Sequence, residues 1–129
     1  MNKIIVEVSV GELFDKISIL EIKKDKIKDK EKLKFITDEY NLLKKQMVDN
    51  IKLNEKLDNL FNSLKNINSK LWVIENDKRL CEKNSDFGEN FIKLSRDIHF
   101  LNDKRASIKL EINNKTGSKI REIKEYTSY

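Results

Sequence analysis

Arg105 carries the clearest chemical signal in the chain. It takes an apolar position in a series, Phe91, Leu94, Ile98, Leu101, Ile108 and Ile112, that otherwise advances by alternating steps of three and four. A guanidinium is permanently charged and rich in donors, so lodging it among aliphatic neighbours is costly unless carboxylates or a bound anion meet it. Asn102, Arg105, Lys109 and Asn113, at steps of three, four and four, share one side of the same helix. An earlier helix holds Glu12, Asp15, Lys16 and Glu21. If the two helices run antiparallel, a rise of about 1.5 Å per residue sets Lys109 and Asn113 level with Glu12, Asp15 and Lys16, and Arg105 level with Glu21. Two kinds of chemistry suit that cluster. The charges neutralise one another in a closed inter-helix network, or they form a pocket in which arginine and lysine hold a phosphate or carboxylate.

A second group, Trp72, Glu75 and Arg79, also advances by three and four, beside Asn68 and roughly level with Arg96 and His99. Trp72 is expected at the edge of the core with its indole N–H satisfied by a carboxylate; a stacking platform for a ring ligand is the alternative. His99 is the one histidine and Cys81 the one cysteine. A zinc site of the His/Cys kind is therefore not expected, and no metal or cofactor is assigned. Glu12 and Asp15, followed by Glu21 and Asp25, are similar to the magnesium-binding carboxylates of all-helical nucleotide pyrophosphohydrolases, but no convincing second carboxylate pair accompanies them. The Arg, Lys and Glu inventory is likewise similar to that of helical chorismate mutases, whose arginine-rich opening is missing.

Four helices must position these residues. Ser9 and Glu12 have the spacing of a capping box, which opens a first helix with the seam Val10, Leu13, Ile17, Leu20, Lys24 and Ile27. Asp29 and Lys30 interrupt it. Leu33, Ile36, Tyr40, Leu43 and Met47 then mark a second helix, and Leu57, Leu60, Leu64, Ile67, Leu71, Ile74, Lys78 and Cys81 a third and longest seam. Asn84, Ser85 and Asp86 favour a turn. Gly88 starts a fourth helix, and Gly117 fits a left-handed C-cap. Short connections make neighbours antiparallel. The expected fold is all-α, an antiparallel up-down bundle of four helices, or a three-helix core with a shorter hairpin added. One domain is expected over residues 1–129, with an extended arm at 1–8 and a tail at 118–129. The alternation of Ile4, Val6 and Val8 suggests that the arm lies against the bundle or pairs with its copy in a dimer. The tail should dock near the end of the fourth helix, bringing Lys124, Glu125 and Tyr126 to the polar cluster.

Composition agrees with a narrow core. Of 129 residues, 38% are hydrophobic and 38% charged, with no proline and three glycines, which disfavours sandwiches, barrels and glycine-rich phosphate loops. No apolar run approaches the roughly 20 residues that cross a bilayer, and Ile4 to Val6 is too short for a signal peptide. A lone cysteine fits a reducing compartment, so the cytosol is expected, without membrane insertion. The net charge of +5 is mostly lysine interleaved with acids on all outer faces, which disfavours nucleic-acid binding. Against that background the four arginines, Arg79, Arg96, Arg105 and Arg121, stand out.

The stretches Val8–Lys23, Leu71–Arg79, Asp86–Gly88 and Asn102–Asn113, with the ending Gly117, Ser118, Glu122, Lys124 and Tyr126, resemble an uncharacterised family of small bacterial and phage proteins. The resemblance covers nearly the whole chain. It implies a domain of unknown function and an association with genes for cell-surface polysaccharide synthesis and glycosyltransferases, but no reaction.

Two readings follow. The first is a non-enzymatic helical module that binds a partner protein or forms a homodimer; it requires an exposed apolar patch and a polar cluster closed by its own ion pairs. The second is a small enzyme or ligand-binding bundle that uses Glu12, Asp15, Lys16, Arg105, Lys109 and Asn113 on an anionic metabolite. That reading requires an open cleft, and carboxylates too few or too distant to neutralise Arg105.

Overall fold

A computed structural model describes residues 2–129. Four helices, α1 (Val10–Lys26), α2 (Lys30–Asn50), α3 (Glu55–Lys83) and α4 (Glu89–Thr116), form the antiparallel all-α bundle expected from the seams. Each start has a local cause. Ser9 Oγ accepts from Glu12 N at 3.0 Å, Asp29 Oδ1 from Lys32 N at 3.0 Å, and Asn54 Oδ1 from Leu57 N at 2.9 Å, so side chains satisfy amides that lack an intrahelical partner. Gly117 ends α4 with φ 66°, a left-handed position that L side chains resist. The turn between α3 and α4 falls at Asn84–Asp86, where Ser85 also adopts positive φ (53°).

The core is narrow. Phe14, Ile17, Met47, Leu57, Leu60, Leu64 and Ile112 form its buried cluster, and Phe14 meets Phe61 edge to face with ring centroids 6.1 Å apart. The α1 backbone approaches α2, α3 and α4, whereas that of α2 approaches only α1. Hence the core is built on α1, α3 and α4, with α2 laid along one side. Met47 is the one fully buried side chain of α2, and Lys24, the polar member of the first seam, caps the Tyr40 ring from 4.2 Å.

Helix length decides what lies beside the site. At about 1.5 Å per residue, the 17 residues of α1 cover little more than half of the 29 of α3 and the 28 of α4. The α3–α4 hairpin therefore projects beyond α1, and past Leu71 only Cys81 and Leu94 are buried on it before α4 returns to the core. Val73, Leu80, Phe87, Ile92 and Phe100 are exposed there.

The two ends behave differently from one another. Ile4, Ile5 and Val6 are 86%, 81% and 69% exposed, so of the two expectations for the arm, lying against the helices is not met, which leaves pairing with a second copy. The tail does fold back. Ser118 is buried beside the start of α1, and Tyr129 meets the His99 ring at a tilt and the Phe100 ring edge-on, at centroid distances of 4.8 and 5.4 Å, while residues 119–129 remain exposed. No described helix is long and apolar enough to cross a membrane.

Candidate functional site

The site begins where α1 starts against the end of α4. Gly11 N donates to Asn113 Oδ1 at 2.7 Å and Val10 N to Ser118 Oγ at 3.2 Å, so with Ser9 these side chains account for the first free amides of α1. Contact there is so close that a Cβ on Gly11 would lie 2.5 Å from the Lys109 carbonyl oxygen. Glycine is required at this approach.

One turn further, Asp15 points into the space between α1, α3 and α4 and is 1% exposed. Arg105 engages it through Nε, at 2.9 Å, and Nη2, one bond to each carboxylate oxygen. Asn68 Nδ2 donates to the same carboxylate at 2.9 Å and to Ser18 Oγ at 2.8 Å, and Ser18 Oγ donates to the Asp15 carbonyl at 2.8 Å. The charge in the α4 seam is thus met by a bidentate partner from the same chain, whose carboxylate is braced by Asn68, itself held by Ser18. Those hydrogen bonds to Asp15 raise the Arg105 pKa above its ordinary value despite partial burial.

Lys109 lies one turn along α4. Its Nζ donates to Glu12 at 2.8 Å and to Glu122 of the tail at 2.9 Å. Burial opposes its charge, but the two carboxylates outweigh burial and its pKa is raised. Glu122 also pairs with Lys124 at 2.8 Å, and the Lys124 and Lys109 hydrogen bonds pull its pKa from 4.5 to about 2. The tail is strapped across α4 by an alternation of charges.

Glu12, Asp15, Arg105, Lys109 and Asn113 are brought together, but Lys16 and Glu21 are not. Lys16 projects into solvent, one residue and so about 100° round the helix from Asp15. Glu21 accepts instead from Tyr40 Oη at 3.1 Å and Lys65 Nζ at 2.9 Å, on the side of α1 that faces α2 and α3. Asn102 is exposed at the mouth of the cluster, whereas Asn113 is 2% exposed and committed to Gly11. Sequence spacing gives no reason to place Ser18 in the site, sets Asn68 only beside Trp72, and marks Glu122 only in the family-like ending. Asn68 had a legible signal, a polar residue directly after Ile67 in an apolar seam; Glu122 had none, since its partners depend on the path of an irregular tail.

Above this cluster lies a cavity of about 730 Å3 between α4 and the tail, lined on its charged side by Asn102, Asp103, Arg105, Lys109, Glu122 and Lys124, with His99 and Tyr126 beyond. A second hollow, of about 420 Å3, opens between α1, α3 and α4. Trp72, Glu75 and Arg79 line it together with Asn102 and Arg105, so the two groups that sequence spacing kept apart meet at a shared wall. Trp72 is partly buried as expected, but its indole has no carboxylate partner among the described residues. No group of three or more His, Cys, Asp or Glu side chains arranged to hold a metal occurs among the described residues.

No curated protein and no solved structure matches the chain. Residues 4–129 match the Family of unknown function (DUF6165), and the chain belongs to that family.

Proposed function

We propose that this protein is a binding module that receives a small anionic group, a phosphate or carboxylate, in the cleft between α4 and the tail. One observation carries the reading: Asp15, buried and braced by Asn68, fixes the plane of Arg105 through Nε and Nη2, while the same guanidinium lines an open cavity beside Lys109, Lys124 and Glu122. A guanidinium aimed in advance loses little freedom on meeting an anion, and its Nη1 has no protein partner among the described residues. The same ion pairs meet the internal charge balance required of a non-catalytic module; of the two requirements of a ligand-binding bundle the open cleft is met, whereas an Arg105 left without a carboxylate is not, because Asp15 pairs with it. Binding without catalysis uses both the ion pairs and the cleft.

The test is a thermal-shift and calorimetric titration with orthophosphate and a dicarboxylate, against chloride at matched ionic strength. Orthophosphate or the dicarboxylate is expected to raise the midpoint of the wild type, with less effect on Lys124→Ala and Arg105→Lys; the latter keeps a cation on Asp15 but loses the fork. Equal shifts in chloride and phosphate refute the reading.

A second reading, self-association, is supported by the arm. Aligning two copies antiparallel about Ile5 sets Lys3 of each opposite Glu7 of the other and Ile4 opposite Val6, so charge and apolar faces both match. Light scattering on the full chain and on a chain lacking residues 2–8 tests it. A dimer that survives the deletion contradicts pairing through the arm.

A further inference from the structure

The two hollows on either side of Arg105 differ in chemistry. The larger is of mixed charge, with Arg105, Lys109 and Lys124 set among Asp103 and Glu122. The smaller presents the indole of Trp72 beside Arg79, Glu75 and Asn76. Asn102 and Arg105 line both, so the two hollows meet at these side chains. Each volume falls within the range of small-molecule sites, about 300–1,000 Å3.

We infer that the cleft takes a ring compound bearing one phosphate, with the ring against Trp72 and the phosphate against Arg105 and the two lysines. This rests on the anion-binding reading and extends it to the rest of the ligand. Trp72 offers a flat apolar face and an indole donor that no carboxylate of the protein occupies. Glu75 and Asn76 supply acceptors, and Arg79 and Asn102 donors, for polar substituents on the ring. Such a rim is wasted on a bare anion. Because Asp15 holds Arg105 in one orientation, the separation between ring and phosphate is set by the protein, which favours a short linkage over a flexible chain.

Both a nucleoside monophosphate and a sugar phosphate have this shared chemistry, and Trp72 is the one tryptophan, so its emission reports occupancy of the smaller hollow alone. The experiment titrates the full chain with orthophosphate, a ribonucleoside, the matching ribonucleoside 5′-monophosphate and a hexose 1-phosphate, following Trp72 fluorescence and heat. One of the two ring phosphates is expected to bind about tenfold more tightly than orthophosphate and to change the emission, as expected for a ring stacked on an aromatic side chain. Which one does so identifies the source. Trp72→Leu, which keeps an apolar side chain at the core edge, should abolish that advantage in calorimetry and leave orthophosphate affinity within about twofold. If orthophosphate binds as tightly as both ring phosphates and the emission is silent, the ring site is refuted while the anion site stands. If no phosphate binds at all, both fall.

Discussion

Arg105 and Asp15 form a two-bond pair in which the carboxylate is 1% exposed and the guanidinium side chain 30% exposed, so the acid is sealed while the base still reaches the cleft. The asymmetry matters for any substitution. Removing the arginine strands a buried charge; removing the acid leaves a cation that water can reach.

Arg105→Leu is therefore expected to destabilise the fold by about 3–5 kcal/mol at neutral pH, the usual cost of leaving one member of a buried pair alone. Asp15→Leu combined with Arg105→Leu should recover most of that loss. Urea unfolding of the three chains checks it, and equal stability of Arg105→Leu and wild type would contradict the geometry.

Gly11→Ala adds a Cβ that would lie 2.5 Å from a backbone oxygen of α4, which cannot rotate away. A helix-favouring substitution is thus expected to cost about 1–3 kcal/mol, the range for overpacking, where an exposed helical position would gain about 1 kcal/mol. The sign of the change in urea midpoint decides between them.

Acid should release the tail. The Glu122 pKa is lowered from 4.5 to about 2 in the folded chain, so its pairing with Lys109 and Lys124 stabilises the strap fully above pH 4.5 and is lost as pH falls towards 2. Limited proteolysis of residues 119–129 is expected to accelerate across that window in the wild type. In Glu122→Gln the tail should be cut faster at neutral pH, with this pH dependence gone.

Gly117→Ala places a side chain at φ 66° and is expected to cost about 1 kcal/mol, fraying the last turn of α4 and loosening Ser118 from Val10. Faster amide exchange at Ser118, whose N–H bonds to the Asn113 carbonyl, is the corresponding observable.

Much of the fold was legible because the signals are local. Three-four spacing marked all four helices, the Ser9 cap and the Gly117 terminus lie where short-range chemistry requires them, the break at Asp29 and Lys30 is where Asp29 caps α2, and the turn at Asn84–Asp86 needs only its own side chains. Height was legible in part. A constant rise brings Glu12 level with Lys109 once the helices are antiparallel, but it sets Arg105 level with Glu21, whereas the guanidinium meets Asp15, six residues earlier in α1. The rotation of each helix about its axis was not, because every residue turns the side chain by about 100° and the packed face depends on three partners at once. Lys16 and Glu21 show the result: Lys16, next to Asp15, faces solvent, and Glu21 faces Tyr40 and Lys65.

The sequence alone determined that four amphipathic helices form, where they start and stop, and that a cation in the fourth seam needs a counter-charge, since periodicity, capping and desolvation act over a few residues. Only the tertiary structure decided that Asp15 answers Arg105, that Asn68 braces Asp15, that Glu122 returns along α4, and that Trp72 shares a wall with the charged cluster. Those pairings join residues 13 to 90 positions apart, and no local rule governs which side chains meet when helices of unequal length pack.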